Sequence, residues 1–399
     1  MKAGRIAGFA VVAAILATII LSAFSASVAL AGSTTGNSDK ARVIAHTDSE
    51  VSNAVAHGCN VVTETKNLKA LECSSDVASS LGLQEDVKVF ALDTKANSQI
   101  KADVVQSGGN TGSGRKIVIL DTGYNYNHAE LSSSYLGGKD FINGDSDPAD
   151  DNGHGTHVAG IITADGVKAN AKGVAPSAGI IAGKVLDASG SGYFSDVVAG
   201  IYWAVDGPDG IAGPVCTTTN GTNTTICTYD DFNADAISLS LGTSQPYTYS
   251  GYCDGVLPDL TAAIKYARGR GVLVVVAAGN SGNAGVSIPG CISYSTTVGA
   301  VDGNDRIARF SGRGSAVDLT APGVRIYSTW LGTAYATLDG TSMATPMVSG
   351  TVALIKSAHP TWTADQVESA LRSTAVDLGT TGFDLNYGWG RINAQAAAK

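Results

Sequence analysis

From residue 116 onward, short runs of consecutive apolar residues alternate with segments whose apolar positions recur every three to four residues. The runs are KIVIL (116–120), AGIIAGKVL (178–186), ADAISLSL (234–241), GVLVVVAA (271–278) and STTVGAV (295–301). A strand apolar at every position is covered on both faces, as in a parallel sheet between helices. Helical spacing is predicted over 154–163, 196–205 and 260–268, and an apolar helix opens near residue 341. Strands alternating with helices imply right-handed crossovers and a three-layer α/β fold, a parallel sheet flanked by helices. Ahead of it, residues 41–92 read as a small α+β unit. Its strands are ARVIA, NVVTET and KVFAL, and its helices SEVSNAVA and SDVASSLG. Residues 93–115, rich in Gly, Ser and Asn, read as a linker, and the chain has no internal repeat.

The first residues follow a different logic. Lys2 and Arg5 precede an apolar run over 6–30 that ends in Ala29-Leu30-Ala31. A positive start, an apolar centre and a small-x-small end predict a secretory signal peptide over 1–31. The run is also long enough to span a bilayer, so an uncleaved membrane anchor is the alternative. Either way the remainder is expected outside the cytoplasm. There the six cysteines are expected to form disulfides. Neighbours along the chain suggest Cys59–Cys73, Cys216–Cys227 and Cys253–Cys291, one of 15 possible pairings.

Composition narrows the function classes. Of 399 residues, 44% are hydrophobic, so a large core is available. The formal net charge is −9 with no basic stripe, which argues against nucleic-acid binding. Glycine, at 49 residues without a three-residue period, serves loops and turns.

In parallel α/β sheets, chemistry sits at the carboxyl ends of strands. The first strand ends in Asp121-Thr122-Gly123; Asn152-Gly153-His154-Gly155-Thr156-His157 opens a helix; GVLVVVAA ends in Gly279-Asn280; and Asp339-Gly340-Thr341-Ser342 opens the apolar helix. Ser342 at a helix N-terminus suits a nucleophile, His154 a base and Asp121 the group that holds its tautomer. Asn280 would offer its amide to an oxyanion. Other readings exist for the parts. Asp121-Thr122-Gly123 also matches the aspartic-protease triplet, His154 and His157 are spaced to share a metal, Ser342 alone would serve as a helix cap, and Asn280 as a turn residue.

ILDTG, NGHGTHVAG, ISLSLG, AAGN and DGTSMATPMVSG, in this order, resemble the subtilisin family of serine peptidases, from about Gln99 to Lys399. The resemblance implies a subtilisin-like domain over 97–399 that cleaves protein and peptide substrates as a monomer through the Asp121–His154–Ser342 triad, with Asn280 in the oxyanion hole and no catalytic cofactor. An esterase with the same triad, or an inactive binding protein of the same fold, are the alternatives. One departure is visible: the family commonly has His after the proline of the serine motif, where this chain has Met347.

The same resemblance places a substrate cleft between Gly190-Ser191-Gly192, with Phe194 at its far subsite, and Ser240-Leu241-Gly242. Ala277-Ala278-Gly279 would wall a small apolar P1 pocket. Glycine-rich edges let a substrate backbone approach as an added strand. Broad specificity with an apolar or aromatic P1 is expected. The acidic run Asp140, Asp145, Asp147, Asp150 and Asp151 resembles a calcium loop of thermitase-like members, and Ca²⁺ is expected at Asp140, Asp145 and Asp147 as a structural ion. A second family calcium loop is not expected, because Val167 replaces its Asn, which leaves Glu130 without partners. Residues 32–96 resemble the family's inhibitory propeptide, with self-cleavage expected between Phe90 and Ser98. Residues 206–233 read as an insertion with sequons at Asn220 and Asn223.

Overall fold

A computed structural model describes residues 40–64, 69–86, 95–208, 215–219, 224–228 and 231–399. The expected signal peptide, the strand KVFAL and both sequon asparagines lie outside these residues. The chain divides into two compact units, 1–90 and 91–399.

In the smaller unit an antiparallel sheet runs in the spatial order Asn60–Glu64, Lys69–Ser74, Lys40–Ala45, Gln84–Glu85. The helices Asp48–Ala56 and Ser75–Leu81 complete it. A capping box in which Thr47 and Glu50 satisfy each other's backbone N–H starts the first helix. The central strand, Lys69–Ser74, was not expected. Its buried positions, Ala70, Leu71 and Cys73, do not alternate strictly, and Lys69 and Glu72 give it a helical composition. Its core is small: Val43, Ala45, Ala54, Leu71 and Ala78 around the Cys59–Cys73 disulfide.

The larger unit is built on a seven-stranded sheet in which every paired neighbour is parallel. Across the sheet the strands are Leu319–Pro322, Thr296–Val301, Leu273–Ala277, Ala236–Leu239, Lys116–Asp121, Gly179–Lys184 and Tyr135–Asp140. Alternating residues feed two cores. Ile117 and Ile119 pack with the helices His154–Thr163 and Thr341–Ala358. Val118 and Leu120 pack with Phe194–Asp206 and Pro258–Gly269 on the other face. This two-sided burial is why the strands read as continuous apolar runs. Strand order reverses between Lys116–Asp121 and Ala236–Leu239, so a crevice opens at their carboxyl ends.

Two strands, Tyr135–Asp140 and Leu319–Pro322, escaped the sequence reading; the first is YLGGKD, too polar and glycine-rich to register. The expected linker also needs correction, since it contains the helices Lys95–Gln99 and Ala102–Ser107. Tertiary contacts hold them: Ala96, Ile100 and Ala102 join the larger core, and Gln106 donates to the Gly173 and Val174 carbonyls. The expected insertion contains an antiparallel ribbon, Val215–Thr219 against Thr224–Thr228, whose register sets Cys216 opposite Cys227. The side chains of that pair lie outside the described residues. Cys253 and Cys291 form a disulfide within the second core.

Candidate active site

Asp121 ends its strand fully buried. Its Oδ1 accepts hydrogen bonds from the Thr122 backbone N–H at 2.7 Å and from His154 Nδ1 at 2.7 Å. His154 opens its helix directly after Gly153, whose φ is 108° and whose α-carbon lies against the Trp330 ring; a Cβ there would sit 2.6 Å from that ring. Gly155 performs the second close approach: a Cβ would stand 2.2 Å from the Gly123 carbonyl oxygen. Only glycine lets the helix start touch the loop after Asp121, and that contact brings the imidazole to the carboxylate.

A second carboxylate holds this junction. Asp150 accepts from the N–H groups of Asn152, Gly153 and Thr156 and from the hydroxyls of Thr122 and Thr156. It thereby caps donors that the helix leaves unpaired. Burial works against its charge, but these hydrogen bonds outweigh it and hold its pKa below the usual carboxylate value. For His154, burial likewise opposes the imidazolium. The charge and hydrogen bond of Asp121, with the charge of Asp150, outweigh it and raise the pKa above the ordinary histidine value. His157 differs: burial lowers its pKa to about 4, and its Nε2 donates to the Ala336 carbonyl at 3.1 Å. It is a buried core residue, and among the described residues no third His, Cys, Asp or Glu joins the two histidines in a metal-holding group.

Ser342 is the second residue of the helix Thr341–Ala358. Its Oγ donates to the Ser240 carbonyl at 3.0 Å, and Ser240 Oγ donates to the Ser342 carbonyl at 2.8 Å. Pro346 explains the second bond. It has no N–H to offer the carbonyl four residues back, so the Ser342 carbonyl is left for Ser240. Asn280 Oδ1 accepts from the Thr341 N–H and hydroxyl, both at 3.0 Å. That fixes which way the amide points: a Cβ on Gly340 would be 3.6 Å from both Asn280 Nδ2 and the Ser342 N–H, so the two donors border one spot.

These groups line a cleft of about 800 Å³. His154, Asn280 and Ser342 border it together with Gly190, Ser191, Gly192 and Phe194 and with Ser240, Leu241 and Gly242; Ala277 and Gly279 also line it. Ala278 does not; it is fully buried and donates to the Val298 carbonyl. Asp121 stands behind His154. The expectation missed Asn152, Tyr193 and the segment Thr243–Gln245 with Tyr247, which also line the cleft. Asn152 opens NGHGTHVAG, Tyr193 lies between Gly192 and Phe194, and 243–247 follow ISLSLG, but none has a residue type that announces chemistry. Met347 is buried in the first core.

The acidic loop does not assemble as expected. Asp140 is buried and its carboxylate closes its own turn, accepting from the Ile142 and Asn143 N–H groups and Asn143 Nδ2. Asp145 accepts from the Asp147 N–H, and Asp147 from the Tyr126 hydroxyl. Among the described residues no group of three or more His, Cys, Asp or Glu side chains comes together to hold a metal. The three carboxylates thus do not form one ligand set.

Glu130, expected to lack partners, has four. It is fully buried and accepts from the Gly166, Val167 and Lys168 N–H groups at 2.7–2.9 Å and from the Tyr335 hydroxyl at 3.0 Å. Three converging amides suit an anion and repel a cation. Glu130→Ala is expected to cost about 2–3 kcal/mol in urea unfolding, as hydrogen bonds to a charged acceptor are lost; a change below about 0.5 kcal/mol would contradict that role.

The model of the subtilase family matches residues 112–390. Subtilisin Savinase of Lederbergia lenta is 40% identical over 302 residues, covering 76% of this chain and 97% of its own. Subtilisin E of Bacillus subtilis (strain 168) is 39% identical over 307 residues, covering 76% and 70%. An alkaline protease of Shouchella clausii is 38% identical over 320 residues, covering 79% and 73%. By the family match and by these similarities, which run through most of both sequences, the chain belongs to the subtilase family of serine peptidases.

Proposed function

We propose that this serine endopeptidase works through Asp121, His154 and Ser342 by an acyl-enzyme route. Ser342 Oγ attacks the scissile carbonyl while His154 Nε2 takes its proton. Asp121 keeps the Nδ1 proton in place and stabilises the imidazolium. Asn280 Nδ2 and the Ser342 N–H receive the oxyanion. His154 then protonates the leaving amine, and water, activated by the same imidazole, hydrolyses the acyl-enzyme. The observation that supports this most directly is the 2.7 Å contact of His154 Nδ1 with buried Asp121, in the wall of the cleft that Ser342 and Asn280 also border.

Specificity is broad, with an apolar or aromatic P1 against Ala277 and Gly279 and an apolar residue toward Phe194; the small walls lining the cleft support this. The chain is made as a precursor, exported by its first 31 residues, and acts as a monomer. The N-terminal segment, expected over 32–96, serves as folding aid and inhibitor until self-cleavage. Ala96 and Ile100 belong to the larger core, which favours a cut ahead of Lys95. Casein digestion by the purified chain, with and without a serine-directed phosphonate, tests the reading; cleavage insensitive to the phosphonate would defeat it. Whether a structural Ca²⁺ gathers Asp140, Asp145 and Asp147 is tested by melting wild type and Asp145→Asn in excess chelator: a drop of several degrees in wild type that is absent in Asp145→Asn would place an ion at this turn, and an unchanged wild-type curve would remove it.

Asn280→Ala should lower kcat by about 10²–10³ with KM within about twofold, because the amide meets charge that develops only in the transition state. That range is the one known for the side-chain oxyanion donor of subtilisin, the reference case for the effect. A KM effect alone would contradict the assignment.

A further inference from the structure

Lys184 closes the strand Gly179–Lys184 next to Asp121, its partner in the sheet register. It is only 1% exposed. Its Nζ donates to the Thr122 carbonyl at 2.7 Å, to Asp151 Oδ1 at 2.7 Å and to the Leu186 carbonyl at 2.9 Å. An ammonium has three donors, and all three are used. Each acceptor lies on a different functional segment. Thr122 follows Asp121, Asp151 enters the turn before His154, and Leu186 begins the cleft edge that continues to Phe194. Asn152, next to Asp151, adds a tie by donating from Nδ2 to the Ala188 carbonyl. The tip of the edge is stiffened internally, since Asp187 accepts from the Ser189 and Ser191 N–H groups. What the edge lacks on its own is attachment to the histidine loop, and Lys184 with Asn152 supplies it.

We propose that Lys184 is a positioning residue for substrate recognition: its ammonium, paired with Asp151, sets the cleft edge Leu186–Phe194 in register with His154. Burying an ammonium is costly, and an apolar side chain of similar length would fill the space, so packing alone does not call for lysine here. The geometry does, because one point charge gathers two carbonyls and a carboxylate from three segments. The inference rests on the reading of this edge as the strand that pairs with extended substrates.

The test compares two substrates for wild type, Lys184→Met and Asp151→Asn. One is an apolar tetrapeptide p-nitroanilide, which reaches the edge; the other is an N-acetyl-tyrosine ethyl ester, which does not. Misplacement by about 1 Å is worth up to about 10²-fold, so Lys184→Met should lose at least about tenfold in kcat/KM on the tetrapeptide, mostly in KM, and less than about threefold on the ester. Asp151→Asn, changing an exposed partner, should show the same selectivity at about two- to fivefold. A purely structural role would lower both substrates together. Equal losses on the two substrates, or an Asp151→Asn tetrapeptide KM indistinguishable from wild type, would overturn the proposal. If Lys184→Met does not fold, the Asp151→Asn ratio decides alone. Failure of the wild type on both substrates would instead defeat the active-site reading.

Discussion

Ser342→Ala should abolish peptidase activity while leaving the fold intact. Its hydroxyl makes a single hydrogen bond, to the Ser240 carbonyl, worth about 1 kcal/mol net. The melting temperature should therefore move by only a few degrees. On the proposed mechanism the reaction loses its nucleophile altogether. In subtilisin itself, the reference case from which the magnitude is taken, removing the serine costs about 2 × 10⁶ in kcat. A second readout comes from maturation. On the precursor reading the variant keeps its N-terminal segment, whereas active chain loses it ahead of Lys95. Mass spectrometry of both chains separates these outcomes. Activity near wild type, or a variant trimmed like wild type in the absence of other proteases, would sink the nucleophile assignment.

Asp121→Asn should lower kcat at neutral pH by on the order of 10⁴, from the wrong imidazole tautomer. An amide N–H facing His154 Nδ1 would drive the proton to Nε2, the nitrogen that must accept from Ser342. The pH profile carries a separate signature. His154 must be neutral to act as base, so activity is present above its folded pKa and lost as pH falls through it. Asp121 and Asp150 raise that pKa, so the acid limb of wild-type kcat/KM should have its midpoint above the ordinary value of about 6.5. Removing the Asp121 charge should shift the limb of the residual activity to lower pH. A limb that stays in place would mean that His154 is not the group being titrated.

Much of this was readable in the sequence because the physics is local there. Strands buried on both faces must be apolar throughout, and five of the seven sheet strands were found on that ground. The helix His154–Thr163 was found at its observed bounds, because a glycine-flanked polar start gives way to an apolar repeat. What escaped reading depends on partners distant in sequence. The helices at 95–107 lie in a stretch whose composition reads as linker, and contacts near residues 173–174 and with the larger core hold them. Lys184 reads as one charge inside AGIIAGKVL; its three acceptors come from residues 122, 151 and 186. Asp150 reads as one of the acidic loop residues, yet its oxygens are used up at the start of the helix His154–Thr163. Glu130 illustrates the same limit, since its amide partners lie about 36 residues further along. Motifs announce which groups do chemistry; the buried charges that hold them are visible only in three dimensions.

The most direct measurement of the central claim is peptide mapping of the purified active chain after treatment with a fluorophosphonate to the point where casein cleavage stops. The account predicts one adduct per chain, on Ser342, with loss of activity proportional to labelling, and no adduct on Ser342 when Asp121→Asn is treated for the same time. Full inactivation with the label on another residue, or persistent activity with Ser342 fully modified, would contradict it.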